Sequence, residues 1–418
     1  MKEIKTEVLV VGAGPTGLLT AALLSEAGIK VEIIDQQERT TARSYACALH
    51  PGSLELLNKF GLTEALQARG KRVHRVAFYE GKTRHAVVNF AELGGQFPFL
   101  LVVPQSDLEQ ILEEKLLSKH HLKVMWNHRF DNLKGEDESV TVDVEKLGGT
   151  AVGYIVPHWE TVVQKRLSIR AQYVVGADGH NSLVRQRAGI QYDSLGDKEA
   201  FVACEFATDT EADDEVRVVL DNGTTNVLWP LPGNAHRWTF QLIHSDVPSD
   251  FPEKDRAASR MEQVLNEQIR GGLLRLAHHR APWFSAKVDG IAWCKQVAFA
   301  HGLAAQFYKE RCLLVGDAGH QTGPVGVQSM NAGLREAHAL AGKLENVLRE
   351  EAPVKLLEAY NQRCLKEWRQ LLGMAGGLRA KEGTNAWVRA RVKRILPCLP
   401  GSGNELNRMA GQLELDLQ

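Results

Sequence analysis

The sequence predicts an α/β fold: a Rossmann-like domain with an inserted β-sheet domain and C-terminal helices. Residues 7–11 form a short apolar run rich in β-branched residues, which is typical of a strand buried on both faces of a parallel sheet. Two similar runs, at 173–175 and 311–315, each lead into a turn that contains glycine. Between these two, residues 201–243 contain four short runs of strand-like composition, which indicate an antiparallel sheet.

A glycine-rich turn follows the first strand directly, and it reads Gly12-Ala13-Gly14-Pro15-Thr16-Gly17. Gly12 permits the tight turn from strand to helix, and Gly17 lets the helix pack close to the strand. Gly14 leaves no side chain between the backbone and a bound pyrophosphate. Small residues also form such turns for packing alone, and this alternative stays open at this point.

The residues after the turn complete a strand–helix–strand unit. A helical run at 18–27 leads to a second strand at 30–34, which ends in Asp35. Pro15 falls in the first helical turn, where its missing N–H removes no hydrogen bond. The N-terminus of such a helix presents free N–H groups and a partial positive charge to phosphates, and Asp35 is placed to accept hydrogen bonds from a ribose.

Two further turns follow buried strands later in the chain. The strand at 173–175 leads into Asp178-Gly179. The strand at 311–315 leads into Gly316-Asp317, and from Gly326 the chain continues as a helix with one apolar face. Glycine-rich turns far apart in the sequence are what a chain needs to hold both ends of one long dinucleotide such as FAD.

In order and kind, these three turns resemble the landmarks of the para-hydroxybenzoate hydroxylase family, the single-component flavoprotein monooxygenases that hydroxylate aromatic compounds. The N-terminal glycine fingerprint matches Gly12 to Gly17, the middle turn matches Asp178-Gly179, and the late turn matches Gly316-Asp317. The resemblance covers the chain to about residue 350. It implies an FAD-binding domain of the glutathione-reductase type, with FAD as the cofactor.

The resemblance also implies roles for individual residues. Asp317 would hydrogen-bond the ribityl chain of the flavin, and Gln105 would contact the same chain. Pro324 would lie in the loop that passes the isoalloxazine ring, and the helix that begins between Gly326 and Asn331 would direct N–H groups to the pyrimidine end of the ring. The expected cofactor contacts are therefore Gly12, Gly14, Pro15, Thr16, Gly17, Asp35, Arg43, Gln105, Asp178, Gly316, Asp317, Pro324, Gly326, Met330 and Asn331.

Some of these assignments have alternatives, and the late turn departs from the family pattern. Asp178 could instead cap the helix that follows it, and Arg43 could be a surface charge. Gly323 stands where proline is common in the family, and Val327 and Ser329 stand where glycine is common. These departures predict a backbone around the flavin ring that is shifted or less open.

The expected domain organisation is discontinuous. The FAD-binding domain would comprise 1–72, 105–190 and 291–350, the β-rich substrate domain 73–104 and 191–290, and the C-terminal helical segment 351–418. In the family such a sheet covers the substrate pocket, so Trp229, Tyr79 and Phe240, together with Pro324, are candidates for its wall; ordinary sheet core is the alternative. The basic run at 387–396 is expected to pack on the protein, with a membrane-surface helix as the alternative.

Composition and charge exclude several classes of function. The net charge of −1 gives no field for nucleic acid or an anionic membrane, and no apolar stretch is long enough to span a bilayer. The six cysteines show neither paired nor metal-type spacing, so reduced thiols, a cytoplasmic location and no metal site are expected. The absence of a nucleophile motif and of a phosphate-binding lysine loop is typical of an enzyme whose cofactor carries the chemistry.

By resemblance, the expected activity is that of an FAD-dependent monooxygenase, acting as a monomer or a homodimer. NADPH or NADH would reduce the flavin as a transient co-substrate, O₂ would form a flavin C4a-hydroperoxide, and an aromatic or phenolic small molecule would be hydroxylated. The alternatives are a flavin oxidoreductase without oxygen insertion, a flavin-dependent halogenase and a non-catalytic flavin-binding protein. His236, His244 and Tyr192 are available to activate a phenol, but no pattern selects one of them.

Overall fold

The computed structural model describes residues 3–39, 46–152, 158–209, 213–243 and 262–418. The strands, numbered in chain order, are β1 Glu3–Lys5, β2 Val8–Val11, β3 Val31–Ile34, β4 Ala48–Leu49, β5 Lys71–Val73, β6 Arg75–Glu80, β7 Thr83–Asn89, β8 Leu100–Val102, β9 His128–Gly135, β10 Val140–Val152, β11 His158–Ala171, β12 Tyr173–Gly176, β13 Tyr192–Ser194, β14 Glu199–Thr208, β15 Glu215–Asp221, β16 Thr224–Pro230, β17 Ala235–Leu242, β18 Val288–Phe299, β19 Gly302–Ala304, β20 Tyr308–Lys309, β21 Cys312–Leu314, β22 His320–Gln321, β23 Leu378–Ala380 and β24 Leu415–Leu417. The α-helices are α1 Pro15–Glu26, α2 Pro51–Lys59, α3 Thr63–Arg69, α4 Gln105–His120, α5 Leu183–Arg187, α6 Glu262–Arg280, α7 Gln328–Arg349, α8 Lys355–Leu371, α9 Ala386–Ala390, α10 Val392–Ile395 and α11 Asn404–Gln412.

A five-stranded sheet in the order β20-β21-β12-β2-β3 is the centre of the Rossmann-like unit. β3, β2, β12 and β21 pair in parallel, and β20 adds an antiparallel edge. Every residue of β2, β12 and β21 is buried, which is the pattern of parallel strands covered on both faces. α1 follows β2 and packs against α4 and α7. The predicted Rossmann-like α/β domain is confirmed.

A seven-stranded sheet in the order β18-β14-β17-β16-β15-β6-β7 forms the inserted layer. Successive residues of its strands point to opposite faces. The inner face, which includes Phe201, Val227 and Trp229, packs into the same core as the Rossmann-like unit. The outer face, which includes Trp238 and Phe240, packs with α6 in a separate core. The four antiparallel strands predicted between residues 201 and 243 are present as β14 to β17.

One strand crosses a predicted domain boundary. β18 pairs with β14 along 288–299, so it lies in the large sheet, whereas the boundary expected at residue 291 assigned most of it to the FAD-binding domain. The chain returns after α6 to pair with the edge of its own sheet, and such a long-range pairing leaves no mark in local sequence. β10 and β11 pair with each other as long antiparallel strands.

The C-terminal segment packs on the protein as predicted. Trp387, Val388 and Ile395 are buried. Trp387 Nε1 donates a hydrogen bond to Glu80 Oε2 at 2.8 Å, and the Arg391 guanidinium pairs with the same carboxylate. In the part of the chain that the structure describes, no helix combines the length and the apolar character needed to cross a bilayer.

The expectation that all six thiols are reduced is wrong for one pair. Cys204 and Cys294 lie opposite each other on β14 and β18, with their Cα atoms 4.0 Å apart, and they form a disulfide. They are 90 positions apart in the chain, so spacing could not reveal a pair that strand register creates. The other four cysteines are free and buried: Cys47, Cys312, Cys364 and Cys398.

Candidate functional site

The first glycine-rich turn is closed by backbone contacts. Gly12 has φ +105°, and a Cβ atom there would lie 2.2 Å from Ala177 O. A Cβ atom at Gly17 would lie 1.9 Å from Gly12 O. Both positions therefore accept only glycine. At Gly14 a Cβ atom would meet nothing within 4 Å, so this residue faces open space in front of α1.

The N-terminus of α1 carries unsatisfied donors at this opening. Pro15 is its first residue, Gly14 provides no side-chain cap, and its first turn contains no acidic residue. The N–H groups of Thr16 and Gly17 are therefore available to an anion. Asp35 lies at the end of β3, where its Oδ2 accepts a hydrogen bond from Ala13 N at 2.7 Å, so its carboxylate adjoins the turn.

The late turn lies directly against the first one. Gly316 has φ +62°, and a Cβ atom there would lie 2.9 Å from Thr16 Oγ1. A Cβ atom at Gly333 of α7 would lie 2.7 Å from the same oxygen and 3.0 Å from Gly316 Cα. Two glycine-containing turns at opposite ends of the sequence thus form one junction with the starts of α1 and α7.

Asp317 directly follows Gly316 at this junction. Its side chain is accessible to solvent, yet protein atoms surround it. This partial desolvation raises the pKa of the carboxyl above its ordinary value, and His320 and His180 oppose the shift. An accessible carboxylate inside an enclosing wall is suited to accept hydrogen bonds from hydroxyl groups of a ligand.

Glu336 supports the late turn from behind. Its Oε2 accepts hydrogen bonds from Gly316 N at 2.8 Å and from His320 Nε2 at 3.1 Å, and its Oε1 accepts one from Trp368 Nε1 at 2.6 Å. Burial acts to raise the pKa of Glu336, but His320 and these donors lower it overall. His320 stacks on Trp368 at a centroid distance of 3.6 Å. His320 is structural here, and sequence reasoning missed Glu336.

The side chain of Asp178 caps α5. Its Oδ1 accepts a hydrogen bond from Ser182 Oγ at 2.5 Å, and its Oδ2 accepts one from Val184 N at 3.1 Å. Both oxygens are therefore engaged within the protein, which supports the capping alternative. The backbone of Asp178 still lies against the first turn, 2.9 Å from where a Cβ atom of Gly12 would be. Arg185 Nη1 donates to Ala318 O at 2.7 Å and ties α5 to the late turn.

The start of α7 is held by polar side chains. Asn331 is 1% exposed; its Nδ2 donates to Ala48 O at 3.0 Å and to Val327 O at 2.8 Å, and its Oδ1 accepts from His50 N at 2.8 Å. His50 Nε2 donates to Gly326 O at 3.0 Å. Burial lowers the pKa of His50 to about 3, so the ring is neutral. Sequence reasoning missed His50, because a buried histidine has no periodic signal.

Four further expected cofactor contacts lie beside the start of α7, at the start of α4 or outside the described residues. Pro324 and Met330 are half-buried beside the start of α7. Gln105 is the first residue of α4, and its Nε2 donates to Glu109 Oε1 at 2.7 Å. Arg43 lies outside the described residues.

The pocket-wall candidates divide between the two faces of the large sheet. Trp229 is on the inner face. Phe240 and Tyr79 pack with the outer core, and the Tyr79 hydroxyl donates to Glu215 Oε1 at 3.1 Å. Glu215 lines a cavity of about 280 Å³ on that outer side. Successive side chains on a strand point to opposite faces of the sheet. Phe240 and Tyr79 are on the outer face, so the structure does not bring them to the glycine turns.

A charged pair that sequence reasoning missed lies on the inner face. Trp293, Glu205, Arg237 and Trp229 form one row across β18, β14, β17 and β16. Arg237 is 4% exposed, and its Nε donates to Glu205 Oε1 at 2.9 Å. Trp229 in the same row packs into the core of the Rossmann-like unit, so the pair lies on that side of the sheet.

The residues considered for phenol activation are engaged elsewhere. His236 lines the outer cavity, and burial, aided by Arg217, lowers its pKa to about 4. The Tyr192 hydroxyl donates to Gln321 Oε1 at 3.0 Å, and burial raises its pKa. His244 lies outside the described residues.

Comparison with known proteins assigns the family. The FAD binding domain family matches residues 5–375. The chain belongs to this family. FAD is accordingly its cofactor, and the site fits it: the uncapped first turn of α1 offers N–H donors, and open space lies in front of Gly14.

Relatives of known name share the fold at low identity. The chain is 27% identical over 383 residues to pentachlorophenol 4-monooxygenase of Sphingobium chlorophenolicum, covering 91% of this chain and 64% of that protein. It is 25% identical over 360 residues to para-nitrophenol 4-monooxygenase of Pseudomonas sp. (strain WBC-3), covering 85% and 81%. The crystal structure of p-nitrophenol 4-monooxygenase PnpA from Pseudomonas putida DLL-E4 matches with a TM-score of 0.70 at 22% identity, over 99% of this chain and 97% of that one. Aklavinone-11 hydroxylase in complex with FAD and aklavinone matches with a TM-score of 0.66 at 22% identity, over 89% and 67%.

Proposed function

We propose that this protein is an FAD-dependent monooxygenase that uses NADPH or NADH and O₂ to hydroxylate an aromatic or phenolic small molecule. The observation that carries the proposal is the junction of the two glycine turns, where Gly316 lies against Thr16 at the start of α1. The relatives are named for oxygenation of phenols, which supports a phenolic substrate. This chain spans 64% of the length of the first of these relatives.

The residues of the junction would bind and orient the cofactor. When bound, FAD supplies hydride acceptance and the activation of oxygen. The N–H groups at the start of α1 would bind the pyrophosphate, and Asp35 would bind the adenosine ribose. Asp317 would accept hydrogen bonds from the ribityl chain. The N-terminus of α7 would stabilise negative charge at the pyrimidine end of the ring.

The inner face of the large sheet would cover the substrate. Trp229 and Trp293 offer flat apolar surface to an aromatic ring, and they flank the Arg237–Glu205 pair. The Glu205 carboxylate, held by Arg237, offers an acceptor for a phenolic hydroxyl. A buried, largely apolar cover also excludes water from the reacting atoms.

A substrate screen with labelled oxygen tests the proposal. Purified holoprotein is incubated with phenols, with NADPH or NADH and with ¹⁸O₂, and products are analysed by mass spectrometry. The proposal predicts substrate-stimulated NAD(P)H oxidation and one ¹⁸O atom in the product. Unlabelled product would indicate an oxidoreductase without oxygen insertion, chloride-dependent product a halogenase, and no stimulated oxidation with any phenol a non-catalytic flavin protein.

A further inference from the structure

The start of α7 is in direct contact with the C-terminal segment. A Cβ atom at Gly326 would lie 2.6 Å from Pro397 O and 3.0 Å from Leu399 O. The short 3₁₀ turn Leu396–Cys398 therefore leaves room only for glycine at this position. Backbone meets backbone here, so neither segment can move toward the other.

Gln328 makes the same contact polar. It is the first residue of α7 and is 2% exposed. Its Nε2 donates hydrogen bonds to Leu396 O at 3.2 Å and to Leu399 O at 3.0 Å. Burial of an amide without such partners is costly, so these two bonds fix where α7 begins relative to the C-terminal turn.

Val327 shows how tightly the position is determined. It has φ +49° and ψ +36°, a left-handed conformation that is unfavourable for a β-branched residue. Strained residues of this kind persist only where the surroundings determine the backbone on both sides. Gly326 and Gln328, its two neighbours, supply that constraint through the C-terminal turn.

The C-terminal turn is anchored in turn to the large sheet. The Arg394 guanidinium donates to Thr224 O at the start of β16, and Trp387 Nε1 donates to Glu80 Oε2 on β6 at 2.8 Å. Cys398 Sγ donates to Arg394 O at 3.0 Å and closes the turn on itself. The C-terminal turn therefore links the start of α7 to the large sheet, which would cover the substrate.

We propose that Gln328 is a positioning residue through which the Leu396–Leu399 turn sets the start of α7 beside the flavin ring. The inference rests on the proposed function in one respect, namely that α7 points its N-terminus at the ring. The partial positive charge of a helix end falls off within its first turn, so a small displacement changes the stabilisation of reduced flavin more than that of oxidised flavin. The C-terminal segment thereby tunes the affinity and midpoint potential of the cofactor.

Gln328→Met tests this directly, since it keeps a long side chain and removes both donors. We expect the variant to lose affinity for reduced FAD about tenfold more than for oxidised FAD. This corresponds to a negative shift of about 30 mV in the two-electron midpoint potential. Affinity is measured by fluorescence titration of apoprotein with FAD, and the potential by titration of the holoprotein against a reference dye.

Thr384→Val is the matched control, because it removes the hydrogen bond from Thr384 Oγ1 to Glu414 O at 2.6 Å within the same C-terminal segment. It should lower stability without shifting the potential. Pro397→Ala loosens the turn more gently and should shift the potential in the same direction by less. If Gln328→Met binds FAD with an unchanged potential, the proposal is overturned; if that variant does not fold, an unchanged potential in Pro397→Ala overturns it.

FAD affinity and midpoint potential are both measured without substrate, so they do not depend on whether the protein inserts oxygen. A holoprotein that shows the shift but hydroxylates nothing would contradict the proposed function alone. A wild-type protein that binds no FAD would overturn both.

Discussion

The glycine junction and the start of α7 both belong to the candidate cofactor site, but they are built in different ways. In the first glycine turn, backbone meets backbone, since a Cβ atom at Gly17 would lie 1.9 Å from Gly12 O. At the start of α7, the backbone contact at Gly326 is accompanied by buried side-chain hydrogen bonds to distant segments: Asn331 Nδ2 donates to Ala48 O, and His50 Nε2 donates to Gly326 O. Backbone contacts demand glycine and therefore mark the sequence, whereas buried hydrogen bonds accept several residue types and leave no recognisable pattern.

Gly17→Ala should give the largest effect on the free energy of unfolding and on FAD binding. Because its Cβ atom would overlap Gly12 O, we expect α1 to be displaced, at a cost of about 3 kcal/mol in the free energy of unfolding. FAD should be lost on purification. Urea unfolding and the ratio of flavin to protein absorbance measure the two effects.

Gly14→Ala is the matched control at the same turn. Its Cβ atom would meet only open space, so the free energy of unfolding should change little while FAD binding weakens. If Gly14→Ala and Gly17→Ala destabilised the apoprotein equally, the distinction between a packing glycine and a ligand-facing glycine would be wrong.

Asp317→Ala should weaken FAD binding by about a hundredfold, as expected for the loss of hydrogen bonds to a charged acceptor. Fluorescence titration of the apoprotein gives the dissociation constant. Asp178→Ala removes a carboxylate that is engaged in capping α5, so it should cost about 1 kcal/mol of stability and affect FAD binding less. Equal losses of FAD affinity in the two variants would contradict the assignment of these two aspartates.

Burial of His50 beside the start of α7 makes the free energy of unfolding depend on pH. Its pKa of about 3 in the folded protein lies below the ordinary 6.5, so between these values the unfolded chain binds a proton that the folded chain does not. Stability therefore falls as the pH falls from 6.5. His50→Gln keeps a donor for Gly326 O and should reduce the loss between pH 6.5 and 5 by about 2 kcal/mol. Parallel losses for both proteins in urea unfolding at the two pH values would contradict this.

The two faces of the large sheet give the smallest expected effect. Trp229→Leu on the inner face should raise the KM for a phenolic substrate about tenfold, in line with the loss of one aromatic contact. Phe240→Leu on the outer face should lower stability and leave KM unchanged. Steady-state kinetics on folded variants decide the matter, and a KM raised equally by both would place the substrate elsewhere.

Sequence reasoning reached the fold and the junction because both depend on local rules. The apolar strands, the turn at Gly12 to Gly17 and the late turn at Gly316 follow from periodicity and from the demands of close backbone approach. The two faces of the large sheet were harder to assign from sequence. Tyr79 and Phe240 could be placed in a pocket only by knowing which alternate residues of each strand point toward the FAD-binding domain.

What the sequence could not show arises from long-range pairing. The Cys204–Cys294 disulfide depends on strand register, and the contact of Gln328 with the C-terminal turn joins segments that have no common motif. The departure at Val327 was noticed as a missing glycine, and the structure shows its consequence as a left-handed residue held on both sides.

Titration of the apoprotein with FAD shows whether the two remote glycine turns form one cofactor site. We expect saturation at one FAD per chain with a change in flavin fluorescence, and near-abolition of binding in Gly17→Ala. No saturable binding by well-folded wild-type protein, or full binding by Gly17→Ala, would contradict it.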